Sequence, residues 1–287
     1  MKHQKRNLKR LMKSKAAVSQ VLAAIMIIFM FVAAIGVVWA WLYPAYNQFQ
    51  TTNNINSMTS YMLRVDEAIY DLYGMEPGSI DIVRMDPNFG FVRYEEGKNV
   101  SLQFADAAST YNQSFLFTKL GVLAFLLENR RGVILKEGES SYLKGPNTQR
   151  YFFVNGSTTG ETYQGLTNLT LMRPADKSMK ISLDYRVRVY TWFDQTANIL
   201  SITVNILQLA IKGTSFSFGS YHSLKIAYNT TGTIYAASTT VSSDFYVDGS
   251  INDFAFRERP LTFVKPGSVG SYTVDIAIQV SQFLFYY

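Results

Sequence analysis

The sequence contains no cysteine and only two histidines among its 287 residues. Without cysteine, the chain has no disulfide, no thiolate metal site and no cysteine nucleophile. His3 lies in a basic N-terminal stretch and His222 stands alone in a strand-like segment, so we expect His222 to be a surface or cross-strand residue. There is no phosphate-binding loop or glycine-rich dinucleotide motif. We therefore expect no enzyme activity and no cofactor.

Acidic residues are absent before Asp66, and no charged residue of either sign lies between Lys15 and Arg64. The part of the chain before Ala16 carries seven basic residues, which are Lys2, Lys5, Arg6, Lys9, Arg10, Lys13 and Lys15. The rest has 20 basic and 21 acidic residues, so the overall charge of +6 comes from this leader. A nucleic-acid-binding body is expected to carry its own basic stripe. The sequence therefore predicts no nucleic-acid partner.

The uncharged segment Ala16–Tyr43 is 28 residues long. As a helix it would rise about 42 Å, which is enough to cross a bilayer core of about 30 Å. The apolar part of a secretory signal is shorter, at roughly 7–15 residues. Basic residues stay on the cytoplasmic side, and Trp39, Trp41, Tyr43 and Tyr46 suit the opposite interface. We expect a single membrane pass with the N-terminus in the cytoplasm and the later residues outside the cell.

This apolar segment is rich in small residues, which let membrane helices approach each other closely. They are Ala23, Ala24, Ala33, Ala34, Gly36 and Ala40. Two interpretations stay open: a simple anchor that happens to be rich in alanine, or a helix that packs against copies of itself.

The junction KSKAAVSQV, followed by the long apolar helix, resembles the class III signal peptide of archaeal type IV pilins and pilin-like proteins over about 40 residues. The resemblance implies that a prepilin peptidase cuts after Ala16, so that Lys15 is the charged residue before the site and Ala17 the new N-terminus. A cut before Val18 also fits. Gln20 replaces the usual proline of the V-S-P-V element, and the glutamate of bacterial pilins is missing. The implied partners are the membrane, a prepilin peptidase and other pilin-like subunits.

Residues 44–76 are predicted to form an amphipathic helix that continues from the membrane segment 17–43. One apolar stripe at spacings of three and four comprises Ile55, Met58, Met62, Val65, Ile69 and Leu72. Gly74 and the Pro77-Gly78 pair are typical of a helix end. The helix is either a long stalk that packs under the following domain or a short linker docked on its own domain.

Residues 77–287 are predicted to form a β-rich extracellular head. A candidate seam, or boundary between two parts of the head, lies near 145–178, where Gly, Pro, Thr and Asn cluster. Alternation over 179–189 and 200–206 around a polar turn predicts one hairpin. A second hairpin is predicted around Asn229–Gly232, and a final strand begins at Tyr272. The fold class is therefore α+β: a long N-terminal helix followed by a mainly antiparallel, sandwich-like head.

Five N-x-S/T sequons lie in the head, at Asn99, Asn112, Asn155, Asn168 and Asn229. They are candidate glycosylation sites if the head is extracellular, and otherwise chance matches in polar turns. The acidic stretch Asp244–Asp253 has oxygens that suit calcium, but its spacing does not match an EF-hand loop. A polar turn explains it better, so we expect no metal site.

Together these features predict a non-enzymatic cell-surface protein, a major or minor subunit of the pilin-like class, with a head for adhesion or subunit contacts. It would lie in the cell membrane or in an extracellular pilus. One alternative is an uncleaved single-pass ectodomain that binds an envelope component or ligand. A second is a membrane-tethered extracellular hydrolase.

Overall fold

The computed structural model describes residues 2–87, 90–97, 99–127, 135–144, 152–155, 167–174, 178–185, 187–213, 216–251, 254–255, 261–267 and 269–287. The chain divides into two compact units, of which the first contains residues 1–53 and the second contains residues 54–129 and 134–287. The candidate seam near 145–178 lies mainly outside the described residues.

One helix, α1, runs from Lys2 to Tyr73. It includes Pro44 and runs without a break through the stretches predicted as leader, membrane segment and stalk. The helix ends with a tightened turn in which the Met75 amide donates to the Leu72 carbonyl at 3.0 Å. The predicted stop at Gly74 is confirmed.

The outer part of α1 is amphipathic, as its spacing predicted. All six residues of the apolar stripe are at most 4% exposed. They belong to the same hydrophobic core as the strands that follow, and residues 54–73 lie in the same compact unit as those strands. This part of the helix is therefore a component of the head's core.

The described part of the head contains 17 strands. Their bounds are β1 Ile80–Met85, β2 Gly90–Glu95, β3 Val100–Asp106, β4 Asn112–Phe117, β5 Val122–Leu127, β6 Ser140–Lys144, β7 Phe152–Asn155, β8 Thr167–Met172, β9 Met179–Tyr185, β10 Val187–Asp194, β11 Ile199–Ile211, β12 Ser217–Phe218, β13 His222–Val241, β14 Phe245–Ile251, β15 Phe254–Ala255, β16 Leu261–Phe263 and β17 Tyr272–Tyr286. The helix-then-strands layout is confirmed, whereas the two-layer sandwich stays a prediction.

The strands form three sheets. Sheet A has the order β1-β13-β17-β11-β10-β7, sheet B has the order β12-β2-β5-β9-β8-β6, and sheet C has the order β15-β14-β3-β4 with β16 on β14. Pairing is antiparallel except for β11 with β17 and β7 with β10, which are parallel. The strands at the centre of sheet A are long: β13 has 20 residues, β17 has 15 and β11 has 13.

The first predicted hairpin is present between β10 and β11, where Val187 pairs with Ile206 and Asp194 with Ile199. In its turn the Asp194 carboxylate accepts hydrogen bonds from the amides of Thr196 and Ala197. The alternating run 179–189, however, is two strands: β9 lies in sheet B and β10 in sheet A. The alternation of apolar and polar residues continues from β9 into β10 because both strands bury their odd-numbered side chains.

The second predicted hairpin is wrong. Residues Asn229–Gly232 lie inside β13, a single strand of 20 residues that pairs with β17 along most of its length. Two register shifts, between Tyr228 and Thr230 and between Thr233 and Tyr235, absorb the turn-like sequence as bulges. A bulge and a tight turn use similar residue types, so the local sequence did not distinguish them.

Sheet A has different neighbours near its two ends. Near one end, the ring of Tyr235 on β13 packs on Phe115 of sheet C at 4.5 Å between centroids. Near the other end, the ring of Tyr228 packs on Tyr73 of α1 at 6.5 Å. The buried side chains of β11 change from even-numbered to odd-numbered at Leu207, consistent with this exchange of neighbours.

Candidate functional site

The first 43 residues hold the most prominent feature, a helix surface that nothing in the described structure covers. Large apolar side chains between Val21 and Tyr43 are 43–77% exposed. Soluble monomers rarely expose contiguous apolar patches larger than a few hundred Å². Among the described residues, this is the one helix long and apolar enough to cross a membrane.

The predicted processing residues Lys15, Ala16 and Ala17 lie within α1, in a region where the structure describes only the backbone. The structure therefore places them on the N-terminal side of the apolar surface, while cleavage stays a prediction.

The small residues predicted to pack helices together fall on different sides of α1. Ala33, Gly36 and Ala40 are spaced by three and four residues and share one face. Ala23 and Ala34 are three turns apart on a second face, and Ala24 lies next to Ala23 around the helix. A Cβ atom added at Gly36 would meet nothing within 4 Å. The first face therefore leaves the α1 backbone open to close approach.

The five sequons occupy different environments. Asn99, Asn112 and Asn229 are exposed, although each amide has a hydrogen-bond partner, such as Gln282 for Asn229 at 2.6 Å. Asn168 is 8% exposed and lies opposite Asp184 in sheet B, which is unfavourable for a glycan. The side chain of Asn155 lies outside the described part, although its backbone ends β7.

His222 lies in an aromatic cluster. Its ring stacks on Phe218 with centroids 5.0 Å apart and meets Tyr287 edge-on at 5.2 Å. Nδ1 lies 3.1 Å from the Ser220 carbonyl oxygen. Among the described residues, no carboxylate bonds this ring to orient it as a general base, and the arrangement is that of a packed aromatic residue.

The acidic stretch Asp244–Asp253 forms local backbone contacts where it is described. Asp244 accepts a hydrogen bond from the Lys265 amide at 2.9 Å, and Asp248 accepts one from the Gly249 amide at 2.7 Å. Asp253 lies outside the described residues. Within the described part, no three His, Cys, Asp or Glu side chains are grouped so that they could hold a metal ion.

Sequence reasoning missed Asp106, an acidic side chain of the head that is only 1% exposed. Its carboxylate accepts hydrogen bonds from Thr110 Oγ1 at 2.5 Å, the Tyr111 amide at 2.7 Å and Ser243 Oγ at 3.1 Å. Burial alone raises the pKa of Asp106, but these hydrogen bonds outweigh it and the pKa lies below its ordinary value. The cluster ties the β3–β4 turn to the β13–β14 connection.

Tyr272 completes this cluster, because its hydroxyl donates to the Ser243 carbonyl at 2.9 Å. Burial, with the nearby Asp244 and Asp106 charges, raises the pKa of Tyr272 to about 12. The signal for the cluster was the turn DAASTY, since an aspartate followed closely by Ser and Thr favours side-chain-to-backbone bonds. These bonds hold the turn and the connection together and so stabilise the fold.

Comparison with family models, with curated proteins and with solved structures finds no match to this chain.

Proposed function

We propose that this chain is a non-enzymatic surface protein of the type IV pilin-like class, anchored by residues 17–43 and displaying the β-rich head outside the cell. One observation carries the proposal: a helix with an exposed apolar surface directly follows a leader of seven basic residues. An exposed surface of this kind is stable in a bilayer or against other apolar helices, and unstable in water.

The charge distribution supports the orientation. Basic residues next to a membrane span stay in the cytoplasm, and the following charge-free stretch extends to Arg64. The head therefore lies outside, where its lack of cysteine leaves the packed core and the sheet hydrogen bonds to hold it together.

Removal of the leader changes what the helix can do. A basic segment in the cytoplasm opposes extraction of the helix from the membrane, because its charges would have to cross the hydrocarbon core. A cut after Ala16 removes all seven charges and leaves the apolar helix on the head. The helix can then leave the bilayer if other helices cover it, and the open face at Ala33, Gly36 and Ala40 supports close packing.

N-terminal sequencing of the protein from its native membrane tests the proposal. We expect the mature chain to begin at Ala17 or Val18. Lys15→Glu or Ala16→Glu should block processing, because each alters a residue next to the bond that is cut. Lys9→Glu is the matched control for Lys15→Glu. It makes the same charge change in the leader but further from the bond that is cut, so this chain should still be processed. A native chain that retains Met1 or Lys2 would contradict the pilin-like proposal and favour the uncleaved, anchored ectodomain.

The exposed sequons add a second readout of the extracellular location. We expect added hexose at Asn99, Asn112 or Asn229 in a host that glycosylates its surface proteins, and none at the buried Asn168. Peptide mass spectra of the native protein make this comparison within one sample. Glycans on none of the exposed sites would remove the glycoprotein part of the proposal.

A further inference from the structure

Strand β1 forms one edge of sheet A and exposes apolar side chains there. It pairs with β13 on one side, and no described strand pairs with its other side. Ile80 is 55% exposed and Ile82 is 53% exposed. An open edge with exposed apolar residues is a template for another strand.

The hydrogen-bonding pattern between β1 and β13 shows which backbone groups of β1 point away from β13. The Tyr228 amide donates to the Ser79 carbonyl at 2.9 Å. Because bonded and non-bonded pairs alternate in an antiparallel ladder, the N–H and C=O groups of Ile80, Ile82 and Arg84 point away from β13. The Ile82 amide accordingly donates to the side chain of Asp81 at 2.7 Å, a bond that an incoming strand can replace.

A groove of about 520 Å³ runs beside this edge, between β1 and the flank of α1. Its walls are residues 81–84 of β1 and Arg64, Glu67, Ala68 and Asp71 of α1. Within the described part of the chain, Arg64, Glu67, Asp71 and Arg84 form no ion pair. The groove therefore offers charges of both signs that no described side chain neutralises.

The α1 wall is complementary to itself. Arg64 and Asp71 lie two turns apart on one flank, carry opposite charges, and are centred on Glu67 and Ala68. If two such flanks meet antiparallel, each Arg64 faces the other copy's Asp71. The β1 wall has Ile82 near its own centre.

We propose that this surface binds a second copy of the chain. The two β1 strands pair antiparallel about a two-fold axis at Ile82 and join the two sheets A into one. The N–H and C=O groups of residues 80, 82 and 84 then exchange hydrogen bonds, and the exposed isoleucines are covered. An isologous contact needs a self-complementary patch of this kind.

The symmetry sets how the two heads meet. A two-fold axis that relates antiparallel edge strands stands normal to the sheet, so the two β1 strands run in opposite directions and sheet A continues from one copy into the other. The contact is therefore a head-to-head dimer, and it involves no residue of the proposed anchor 17–43.

Cross-linking of the full chain in detergent tests the geometry. Because the sequence contains no cysteine, the Ile82→Cys chain carries a single thiol that can be cross-linked. Ile234→Cys on β13 is a matched control because Ile234 is 55% exposed. With a short bis-maleimide we expect a dimer of the Ile82→Cys chain and only background dimer from Ile234→Cys. Equal yields at residues 82 and 234 would overturn the proposal.

Cross-linking at Ile80 tests the register of the two strands. With the axis at Ile82, Ile80 of one copy lies opposite Arg84 of the other, so two cysteines at position 80 are further apart than two at position 82. We therefore expect Ile80→Cys to cross-link less than Ile82→Cys under the same conditions. A higher yield at position 80 would contradict a two-fold axis at Ile82.

Charge exchange between chains tests the α1 wall. The Arg64→Asp chain in detergent should dimerise about tenfold more weakly than the parent, because two attractive pairs become repulsive. The Asp71→Arg chain should behave in the same way. Mixing the two chains should restore a dimer, since the aspartate introduced at position 64 then faces the arginine introduced at position 71. A parent-level dimer of either single variant, or no dimer in the mixture, would overturn the proposal.

Failure of this inference and failure of the proposed function are distinguishable. Leader cleavage is read from the N-terminal residue of the native protein and does not involve β1 or the groove. Dimer formation uses the full chain whether or not the leader is removed.

Discussion

Gly121 lies where sheets A and B meet, and its replacement by alanine should destabilise the head far more than the same replacement at Gly138. Gly121 has φ +79°, and a Cβ atom there would lie 2.0 Å from the Leu209 carbonyl oxygen and 2.8 Å from a ring carbon of Tyr94. Gly138 has nearly the same φ, +78°, but an added Cβ would meet nothing within 4 Å. The pair separates backbone strain from steric overlap.

The expected magnitudes follow from these distances. At Gly138, alanine adds only the strain of the left-handed conformation, about 1–2 kcal/mol. At Gly121 the same strain is joined by overlap with a backbone carbonyl, which cannot rotate away as a side chain can, and overpacking adds about 1–3 kcal/mol. The overlap also displaces the Leu209 amide from the Leu120 carbonyl, now 2.8 Å away. We therefore expect Gly121→Ala to cost about 2–5 kcal/mol.

Guanidinium unfolding of the full chain in detergent measures the difference. Trp39 and Trp41 are replaced by Phe in every variant, so that the fluorescence comes from Trp192 in the head. The midpoint of Gly121→Ala should lie clearly below that of Gly138→Ala, and that of Gly138→Ala slightly below the parent. Equal midpoints for the two variants would refute the claim that Gly121 is held against Leu209.

Two further substitutions test the core and its buried acid. Met62→Ala removes a fully buried side chain and should cost about 2–5 kcal/mol in the same assay, whereas the 52% exposed Tyr70 on the same helix should tolerate alanine within about 0.5 kcal/mol. Asp106 has a lowered pKa, so its charge stabilises the head above its ordinary value of 3.8 and that contribution is lost as the pH falls below it. The unfolding midpoint of Asp106→Asn should be lower than the parent's at pH 7, and it should fall less steeply than the parent's between about pH 4 and pH 2. If the midpoints of the two chains fell equally steeply over this pH range, that would contradict the role of Asp106.

The elements predicted well are those specified by nearby residues. The α1 stripe from Ile55 to Leu72 was read correctly because helix periodicity relates residues three and four apart, and the burial of that stripe follows from it. The β10–β11 hairpin was likewise readable because Asp194 and the residues after it favour a turn between two alternating runs.

What the sequence did not predict depends on distant partners. The run Asn229–Gly232 has turn chemistry, but β17, which lies much further along the chain, pairs across it and converts it to bulges. The local sequence also does not indicate that β11 pairs in parallel with β17, or that β9 and β10 belong to different sheets. An alternating pattern shows which side chains are buried, but it does not show which strand lies alongside. The groove beside β1 arises for the same reason, since Arg64 and Arg84 meet only after folding.

Sidedness of the head in the membrane tests the central claim most directly. Trp192→Cys, at a head residue that is 65% exposed, and Lys5→Cys in the leader give two single-thiol chains. In intact cells of a host without a prepilin peptidase, a membrane-impermeant maleimide should label Trp192→Cys directly and Lys5→Cys only after permeabilisation. Labelling of Lys5→Cys in intact cells, with Trp192→Cys protected until permeabilisation, would contradict the account.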